Sequence, residues 1–199
     1  MSRPLLLAAA VAASLAILAG ACVPGGAPLP VMGSSKVNAS QMAGWFNSKA
    51  SGGGATVPVE VLAQQFLNEG EAEGVAGDVA FVQAMIETGW LRFSARMPVH
   101  HNNFSGIGAV DSGSSSAAFH SAEVGVRAQI QHLRAYADSS ANVFTLNRPL
   151  VDPRFHLVNK GVAPSWGHFG NGNWATDPGY AFKVHSLYAE LQAWAAAHP

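Results

Sequence analysis

The sequence predicts a mostly helical α+β domain with one small β-type insertion and one long irregular loop. Apolar residues recur at helical spacing in four segments. These segments begin near Val59, Val79, Ala122 and Ala181. Residues 104–119 instead show alternation and a Gly-Ser turn, which are typical of a small hairpin. Residues 159–177 are rich in glycine and aromatic side chains without a helical period, and loops of that length in compact domains usually carry function.

The start of the chain predicts export. The sequence has 199 residues, of which 49% are apolar and 12% charged, and much of the apolar excess lies in Leu5–Leu18. This run is shorter than the roughly 20 residues of a transmembrane helix. Arg3 before it and the small residues Ala19–Ala21 after it complete the pattern of a secretory signal over residues 1–21. The formal net charge of -1 creates no field that would concentrate a polyanion, so nucleic-acid binding is not expected.

Cys22 is the only cysteine and directly follows the predicted cleavage point. A single cysteine at this position excludes a disulfide scaffold, a cysteine-ligated zinc site and a cysteine nucleophile. Residues 19–22 resemble a bacterial lipobox, with Leu18 one position further from the cysteine than usual. We therefore predict a lipid anchor at Cys22, the alternative being a plain A-x-A cleavage site and a secreted protein.

The rest of the chain is predicted to form one domain and to be monomeric. Residues 22–56 are interpreted as the anchor cysteine and a flexible tether, because residues 23–35 are rich in Pro, Gly and Ser. A short apolar segment around Trp45 is expected to dock on the domain. The folded domain is placed at 57–199, and no second apolar run is long enough to span a bilayer.

The four helices carry recognisable start signals. Asp78, Ser121 and Asp177 are suited to N-cap positions, and Pro58 to a first helical turn. The helix that starts at Asp78 is apolar on nearly all sides, which predicts that it is buried at the centre of the domain.

Glu87 stands at the end of this central helix and is followed by Thr88-Gly89-Trp90. A carboxyl group held there beside Trp90 loses water, which raises its pKa. A raised pKa is what a general acid needs to protonate a glycosidic oxygen near neutral pH. The alternative is a glutamate that points into solvent from the last helical turn.

Three segments, in this order, resemble the bacterial endo-β-N-acetylglucosaminidases of the flagellar and autolysin type. The segments are Ala80–Trp90, Asn102–Ile107 and Trp174–Val184, and the resemblance extends over about 57–194. Such proteins share a lysozyme-like domain and cut the glycan strands of peptidoglycan. The resemblance therefore implies a lysozyme-like fold with an α-lobe, a small β-hairpin lobe and the Gly/aromatic loop. It also implies glycan strands as the partner and no cofactor.

The resemblance places the proton donor at Glu87 and the active-site tyrosine at Tyr180. It assigns a supporting segment of the cleft to Asn102, Asn103, Phe104 and Gly106. The family's second carboxylate usually lies on the hairpin lobe, and this sequence departs from that pattern. Asp111 is the only acidic residue between Asn102 and His120. Asp111 is a candidate for the base that activates water. Alternatively, the 2-acetamido oxygen of the substrate attacks its own anomeric carbon, with Tyr180 orienting it.

Four aromatic residues are candidates for stacking on sugar rings. Trp166, Phe169 and Trp174 lie in the long loop, and Trp90 follows Glu87. The alternative is that the loop aromatics pack the loop onto the domain.

Eight histidines invite a metal-site interpretation, but no H-E-x-x-H motif is present, so no metal is expected.

Three functions remain open. The first is a glycan-strand hydrolase cleaving after N-acetylglucosamine. The second is a muramidase or lytic transglycosylase on the same architecture, and the third is a non-catalytic peptidoglycan-binding module.

Overall fold

The structure, a computed structural model, describes residues 28–108 and 116–199 and contains five α-helices in these ranges. The helices are α1 (Ala39–Lys49), α2 (Val59–Glu73), α3 (Gly77–Glu87), α4 (Ala122–Ala137) and α5 (Tyr180–Ala197). Short 3₁₀ turns lie at Val99–His101, Phe155–Leu157 and Trp166–His168. The prediction of a mostly helical domain is confirmed, consistent with an α-rich lysozyme-like fold.

The predicted hairpin lobe is not seen in the described residues, which contain isolated β-bridges but no strand. Residues 109–115, at the centre of that lobe, lie outside the described ranges. The two flanking segments meet through backbone hydrogen bonds, in which the Ala117 N–H donates to the Ile107 carbonyl at 2.9 Å and the Phe119 N–H to the His101 carbonyl at 2.8 Å.

Helix α3 is the central helix, as its all-round apolar pattern predicts. Every residue from Gly77 to Met85 is buried, and the helix packs against α2 and α5. Gly77 permits the close approach of α2, because a Cβ atom there would lie 2.1 Å from the Phe66 carbonyl oxygen. Placing this helix at the centre fixes the position of Glu87 at its C-terminal end.

Asp78 does not cap α3, which corrects the cap prediction. The helix begins one residue earlier, and the Asp78 carboxylate is buried in tertiary contacts. It accepts hydrogen bonds from the backbone N–H groups of Lys36 at 2.7 Å and Val37 at 3.3 Å and from the Tyr188 hydroxyl at 2.9 Å. Asp78 thus binds the N-terminal segment and α5 to the start of the central helix.

Of the other predicted start signals, Ser121 is confirmed as an N-cap. Asp177 and Pro58 are corrected, because Gly179 is the N-cap of α5 and Pro58 is itself the N-cap residue of α2, before its first turn. Ser121 caps α4 by accepting a hydrogen bond from the Val124 N–H at 3.3 Å. Asp177 accepts from the Gly179 N–H at 2.7 Å immediately before α5 begins at Tyr180. Pro58 lies directly before the first residue of α2.

The folded unit starts well before Val57, which corrects the predicted tether. Residues 28–38, here called the N-terminal strap, run across the core before α1. Val31 is fully buried, its N–H donates to the Pro164 carbonyl, and its carbonyl accepts from the Ala76 N–H, both at 3.1 Å. Helix α1 then buries Trp45 against its neighbours. The Pro, Gly and Ser content of the strap predicted a tether. The strap is nevertheless ordered by long-range backbone hydrogen bonds, which leave no periodic pattern in the sequence.

None of the helices in the described ranges combines the length and the apolar character needed to cross a membrane.

Candidate active site

Glu87 is half-buried at the end of α3, and one of its carboxyl oxygens is held by two donors. Oε1 accepts a hydrogen bond from the Tyr180 hydroxyl at 2.5 Å and one from Trp174 Nε1 at 2.9 Å. Burial raises the pKa of Glu87, and the hydrogen bonds from Tyr180 and Trp174 partly oppose this rise because they stabilise the ionised form. The direction is the one predicted from the end of the central helix.

The second oxygen, Oε2, faces a cleft of about 360 Å³. No described residue donates a hydrogen bond to it, and it is not among the described buried polar atoms that lack partners. A Cβ atom at Gly106 would lie 3.7 Å from it. The cleft is lined by Glu87, Ser105, Gly106, Ile107, Gly108, His132, Tyr136, Arg154 and Trp174. Glu87 therefore has one oxygen fixed by the protein and one open to a ligand.

Behind Glu87, a buried relay of polar side chains fixes the direction of the Tyr180 hydroxyl. Tyr180 OH donates to Glu87 and accepts from Gln83 Nε2 at 3.0 Å. Gln83 Oε1 accepts from Gln129 Nε2 at 2.8 Å, and Gln129 also donates to the Ala80 carbonyl. Burial and the neighbouring Glu87 raise the pKa of Tyr180 well above its usual value, so the hydroxyl stays protonated.

The relay changes the interpretation of Tyr180. Its only hydroxyl proton is directed at Glu87, and the side chain is 4% exposed and does not line the cleft. In this geometry the hydroxyl cannot also donate to an acetamido group of the substrate. Tyr180 is thus a positioning residue for Glu87 rather than a substrate-orienting one.

Only one of the three loop aromatics, Trp174, lines the cleft. Trp166 is fully buried and Phe169 is 2% exposed, with their ring centroids 4.9 Å apart. Phe169 in turn packs against Trp174 at 5.8 Å. Trp166 and Phe169 therefore support Trp174 from the core and offer no face to a sugar, which corrects their predicted role.

Trp90 also serves as a support in this structure. It follows Gly89 in a left-handed turn, with φ of 59° at Gly89, 63° at Trp90 and 56° at Leu91. Its ring packs on Trp45 at a centroid distance of 5.0 Å and does not line the cleft. Non-glycine residues in this region cost roughly 1–2 kcal/mol each, and such strain clusters at functional sites. The turn ends α3 directly after Glu87.

The paired asparagines build the wall opposite the Glu87 carboxyl. Asn103 is fully buried, and its side chain donates to the carbonyls of Ile107 at 2.8 Å and Ala117 at 3.0 Å. Asn102 has a φ of 50° and donates to the Phe119 carbonyl at 3.0 Å. Phe104 between them and Gly106 lies in the core. Of this predicted set, Gly106 alone lines the cleft, and the others position it.

Asp111, the predicted base, lies outside the described residues.

The residues of the site that were missed from the sequence include His132, Tyr136 and Arg154, which line the cleft, and Asp152 behind His132. His132 Nδ1 lies 2.7 Å from Oδ2 of the buried Asp152, and the His132 ring packs edge-on against Trp174 at 5.2 Å. His132 and Tyr136 are four residues apart on α4, next to its apolar stripe, and this shared face could have marked them. Asp152 and Arg154 come from an irregular segment after α4 that shows no periodicity.

No group of three potential metal-ligating side chains occurs within residues 28–108 and 116–199.

The helical domain thus holds a half-buried, protonatable carboxyl at the wall of an open cleft, an arrangement that can donate a proton to a bound molecule. The chain belongs to the glucosaminidase family, described as mannosyl-glycoprotein endo-beta-N-acetylglucosaminidase, whose sequence model matches residues 63–193. This confirms the resemblance noted from the three motifs, all of which fall inside the match.

An uncharacterized protein of Borreliella burgdorferi is 36% identical to this chain over 133 residues. The aligned part covers 67% of this chain and 63% of that protein, so the chain spans less than two thirds of the relative's length. No solved structure matches the chain.

Proposed function

We propose that the protein is a peptidoglycan hydrolase that cleaves the β-1,4 glycosidic bond after N-acetylglucosamine, with Glu87 as the general acid. The observation that carries this proposal is the arrangement of the Glu87 carboxyl group. Burial favours its protonated form, Oε1 is held by Tyr180 and Trp174, and Oε2 faces the cleft. A positioned carboxylic acid of this kind can deliver its proton to a leaving glycosidic oxygen.

The composition of the cleft supports a glycan that carries acidic groups. Arg154 lines the cleft, and its guanidinium group forms no ion pair with a carboxylate within the described residues. A cation at this place suits the carboxylates of the peptide stems in peptidoglycan, or the free lactyl carboxylates of strands that lack stems, better than a neutral chitin strand. Trp174 and Tyr136, the large aromatic side chains that line the cleft, offer apolar surface to a sugar ring.

The proposal includes a place for the protein in the cell envelope. Export by the signal at residues 1–21 and acylation of Cys22 would hold the domain on the outer side of a membrane. A single acyl chain binds a membrane only marginally, so firm anchoring requires the several chains of a bacterial lipoprotein. Replacing Cys22 with Ala is expected to move the protein from the membrane fraction to the soluble fraction. Equal membrane association of the two proteins would favour the secreted alternative.

The decisive experiment is mass spectrometry of fragments released from purified peptidoglycan by the wild-type protein and by Glu87→Gln. We expect reducing ends of N-acetylglucosamine, and a fall in rate of at least ~10² for Glu87→Gln, because glutamine keeps the shape but has no acidic proton. Glu60→Gln, an exposed change at the start of α2, serves as the control.

The other products identify the alternatives. Reducing ends of N-acetylmuramic acid would indicate a muramidase, and anhydromuramic ends a lytic transglycosylase. Binding without release would indicate a glycan-binding module. A near wild-type rate for Glu87→Gln would contradict its assignment as the acid.

A further inference from the structure

The cleft contains a second polar centre, a histidine and a buried aspartate that face Glu87 across Trp174. Asp152 is 2% exposed, and its Oδ2 accepts a hydrogen bond from His132 Nδ1 at 2.7 Å. Because a carboxylate only accepts, this contact places the Nδ1 proton toward Asp152 and leaves Nε2 as the free ring nitrogen. His132 lines the cleft, and none of the described residues hydrogen-bonds Nε2.

A network of buried polar groups holds Asp152 beneath His132. The Asp152 Oδ1 atom accepts from the Arg154 N–H at 2.8 Å. Gln131, next to His132 and fully buried, accepts from the Val151 N–H at 2.9 Å and donates to the Pro149 carbonyl at 2.9 Å. The segment that carries Asp152 is therefore bound to the helix that carries His132, which keeps the two side chains in register.

Trp174 links this pair to Glu87. Its indole N–H donates to Glu87 Oε1, while its ring packs against the His132 ring at a centroid distance of 5.2 Å. His132 and Glu87 therefore flank one aromatic residue and border the same cleft. The two open atoms, Glu87 Oε2 and His132 Nε2, have complementary roles. The first belongs to an acid, and the second is a ring nitrogen that can accept a proton.

We propose that His132, oriented by Asp152, is the general base that activates the attacking water in the hydrolysis described above. The inference rests on the proposed function. Glu87 gives its proton to the glycosidic oxygen as the bond from that oxygen to the anomeric carbon breaks. A water oxygen forms the new bond to the anomeric carbon, and its proton passes to His132 Nε2. Asp152 stabilises the resulting imidazolium.

The cycle closes without any further reactant. The imidazolium loses its proton to solvent, and the Glu87 carboxylate takes one up from solvent. One water is consumed for each bond cleaved. In this route His132 takes the place of Asp111 as the base, and water takes the place of the substrate's own acetamido oxygen as the nucleophile. The route predicts inversion at the anomeric carbon.

The test compares the full-length wild-type protein with His132→Ala and Asp152→Asn on purified peptidoglycan, with and without sodium azide. We expect His132→Ala to lower kcat by ~10² or more with little change in KM, because the base acts in the transition state. Azide needs no base, so it should restore turnover of His132→Ala and yield a glycosyl azide of inverted configuration.

Asp152→Asn keeps one acceptor oxygen where the aspartate has two, so it can accept from the Arg154 N–H or from His132 Nδ1 but not from both, and it removes the charge that stabilises the imidazolium. We expect an intermediate loss of kcat for this variant. His156→Ala is the matched control, since His156 is exposed on the 3₁₀ turn Phe155–Leu157 and does not line the cleft. Circular dichroism verifies that each variant is folded.

Three outcomes would overturn the role of His132. They are a kcat of His132→Ala near that of the wild type, loss of activity in a folded His132→Ala protein without any azide product, and a glycosyl azide of retained configuration. Asp111→Asn is assayed in parallel, and rescue by azide in this variant in place of His132→Ala would assign the base to Asp111. If the wild-type protein releases no fragments ending in N-acetylglucosamine, the proposed function fails instead, and the two failures are thereby distinguished.

Discussion

At the residue scale, the candidate site depends on the different surroundings of the two carboxyl oxygens of Glu87. Oε1 is saturated by Tyr180 and Trp174, whereas Oε2 remains open to the cleft. The hydrogen bonds stabilise the carboxylate and burial stabilises the acid, and burial is the larger effect. The side chain is therefore fixed in position without being forced to ionise.

Tyr180→Phe is expected to move the pH profile of hydrolysis. Because the Tyr180 hydrogen bond lowers the pKa of Glu87, its loss should raise that pKa further. A general acid loses activity as pH rises through its pKa, so the alkaline limb of kcat/KM should shift to higher pH. The maximal rate should fall ~10-fold or more because Glu87 is less well positioned.

Tyr188→Phe is the matched control for this experiment. Tyr188 lies on the same helix but donates to Asp78, away from the cleft. Its removal should leave the alkaline limb in place. An unshifted limb in Tyr180→Phe as well would mean that the Tyr180 contact does not tune Glu87.

Glu87→Gln is expected to stabilise the protein at neutral and alkaline pH relative to the wild type. The pKa of Glu87 is raised in the folded state, so its contribution to stability is fully present below the unfolded pKa and is lost as pH rises through the folded pKa. Glutamine has no such loss. The difference in Tm between variant and wild type should therefore grow as pH increases.

This difference can be followed by thermal unfolding at a series of pH values. For a chain of this size, a change of 1 kcal/mol in the free energy of unfolding corresponds to about 2–4 °C in Tm. A difference in Tm that is constant with pH would mean that the ionisation of Glu87 does not differ between the folded and unfolded states.

At the element scale, the segment after α4 owes its path to buried charges on α2. Glu73 has a fully buried side chain that pairs with Arg134 on α4. It also accepts hydrogen bonds from the backbone N–H groups of Asn147 at 3.1 Å and Arg148 at 2.9 Å. This contact sets the start of the segment that continues to Asp152 and Arg154 in the cleft.

Glu73→Gln is expected to lower the free energy of unfolding by about 3 kcal/mol, because it leaves the Arg134 guanidinium without its buried partner. Hydrolysis should fall as well, since the segment that carries Asp152 loses its anchor. Chemical denaturation measures the first effect. The exposed neighbour Glu71 supplies the control, as Glu71→Gln should change stability by no more than about 0.5 kcal/mol.

At the scale of the whole molecule, the N-terminal strap and α1 belong to the folded unit although the family match begins at residue 63. The strap bridges the α2–α3 connection and the segment before Trp166 through Val31, and α1 packs against α2 and α5. The predicted anchor at Cys22 would thus be only a few residues from the packed part of the chain.

Val31→Asp is expected to destabilise the domain by about 3 kcal/mol or more, because it places a charge at a fully buried site without a partner. Ser34→Asp, an exposed change in the same strap, should have little effect. Thermal unfolding of both full-length variants decides the matter. Equal Tm values would show that the strap is not part of the cooperative unit.

The sequence by itself determined the features that depend on neighbouring residues. Periodic apolar spacing located α2 to α5, a cap was recognisable at Ser121, and the all-apolar pattern of α3 placed Glu87 at a buried helix end. These signals are local, since helix formation and capping involve residues within four positions of each other.

Only the tertiary structure decided which side chains meet. In the folded domain, Asp78 binds the strap and α5, and Trp166 and Phe169 are buried in the core. His132 on α4 pairs with Asp152 in the segment that follows α4. These contacts join residues 20 or more positions apart, and several rest on single hydrogen bonds from irregular backbone. Such contacts leave no period in the sequence because their energy comes from the packing of distant segments, which is set only when the whole domain folds.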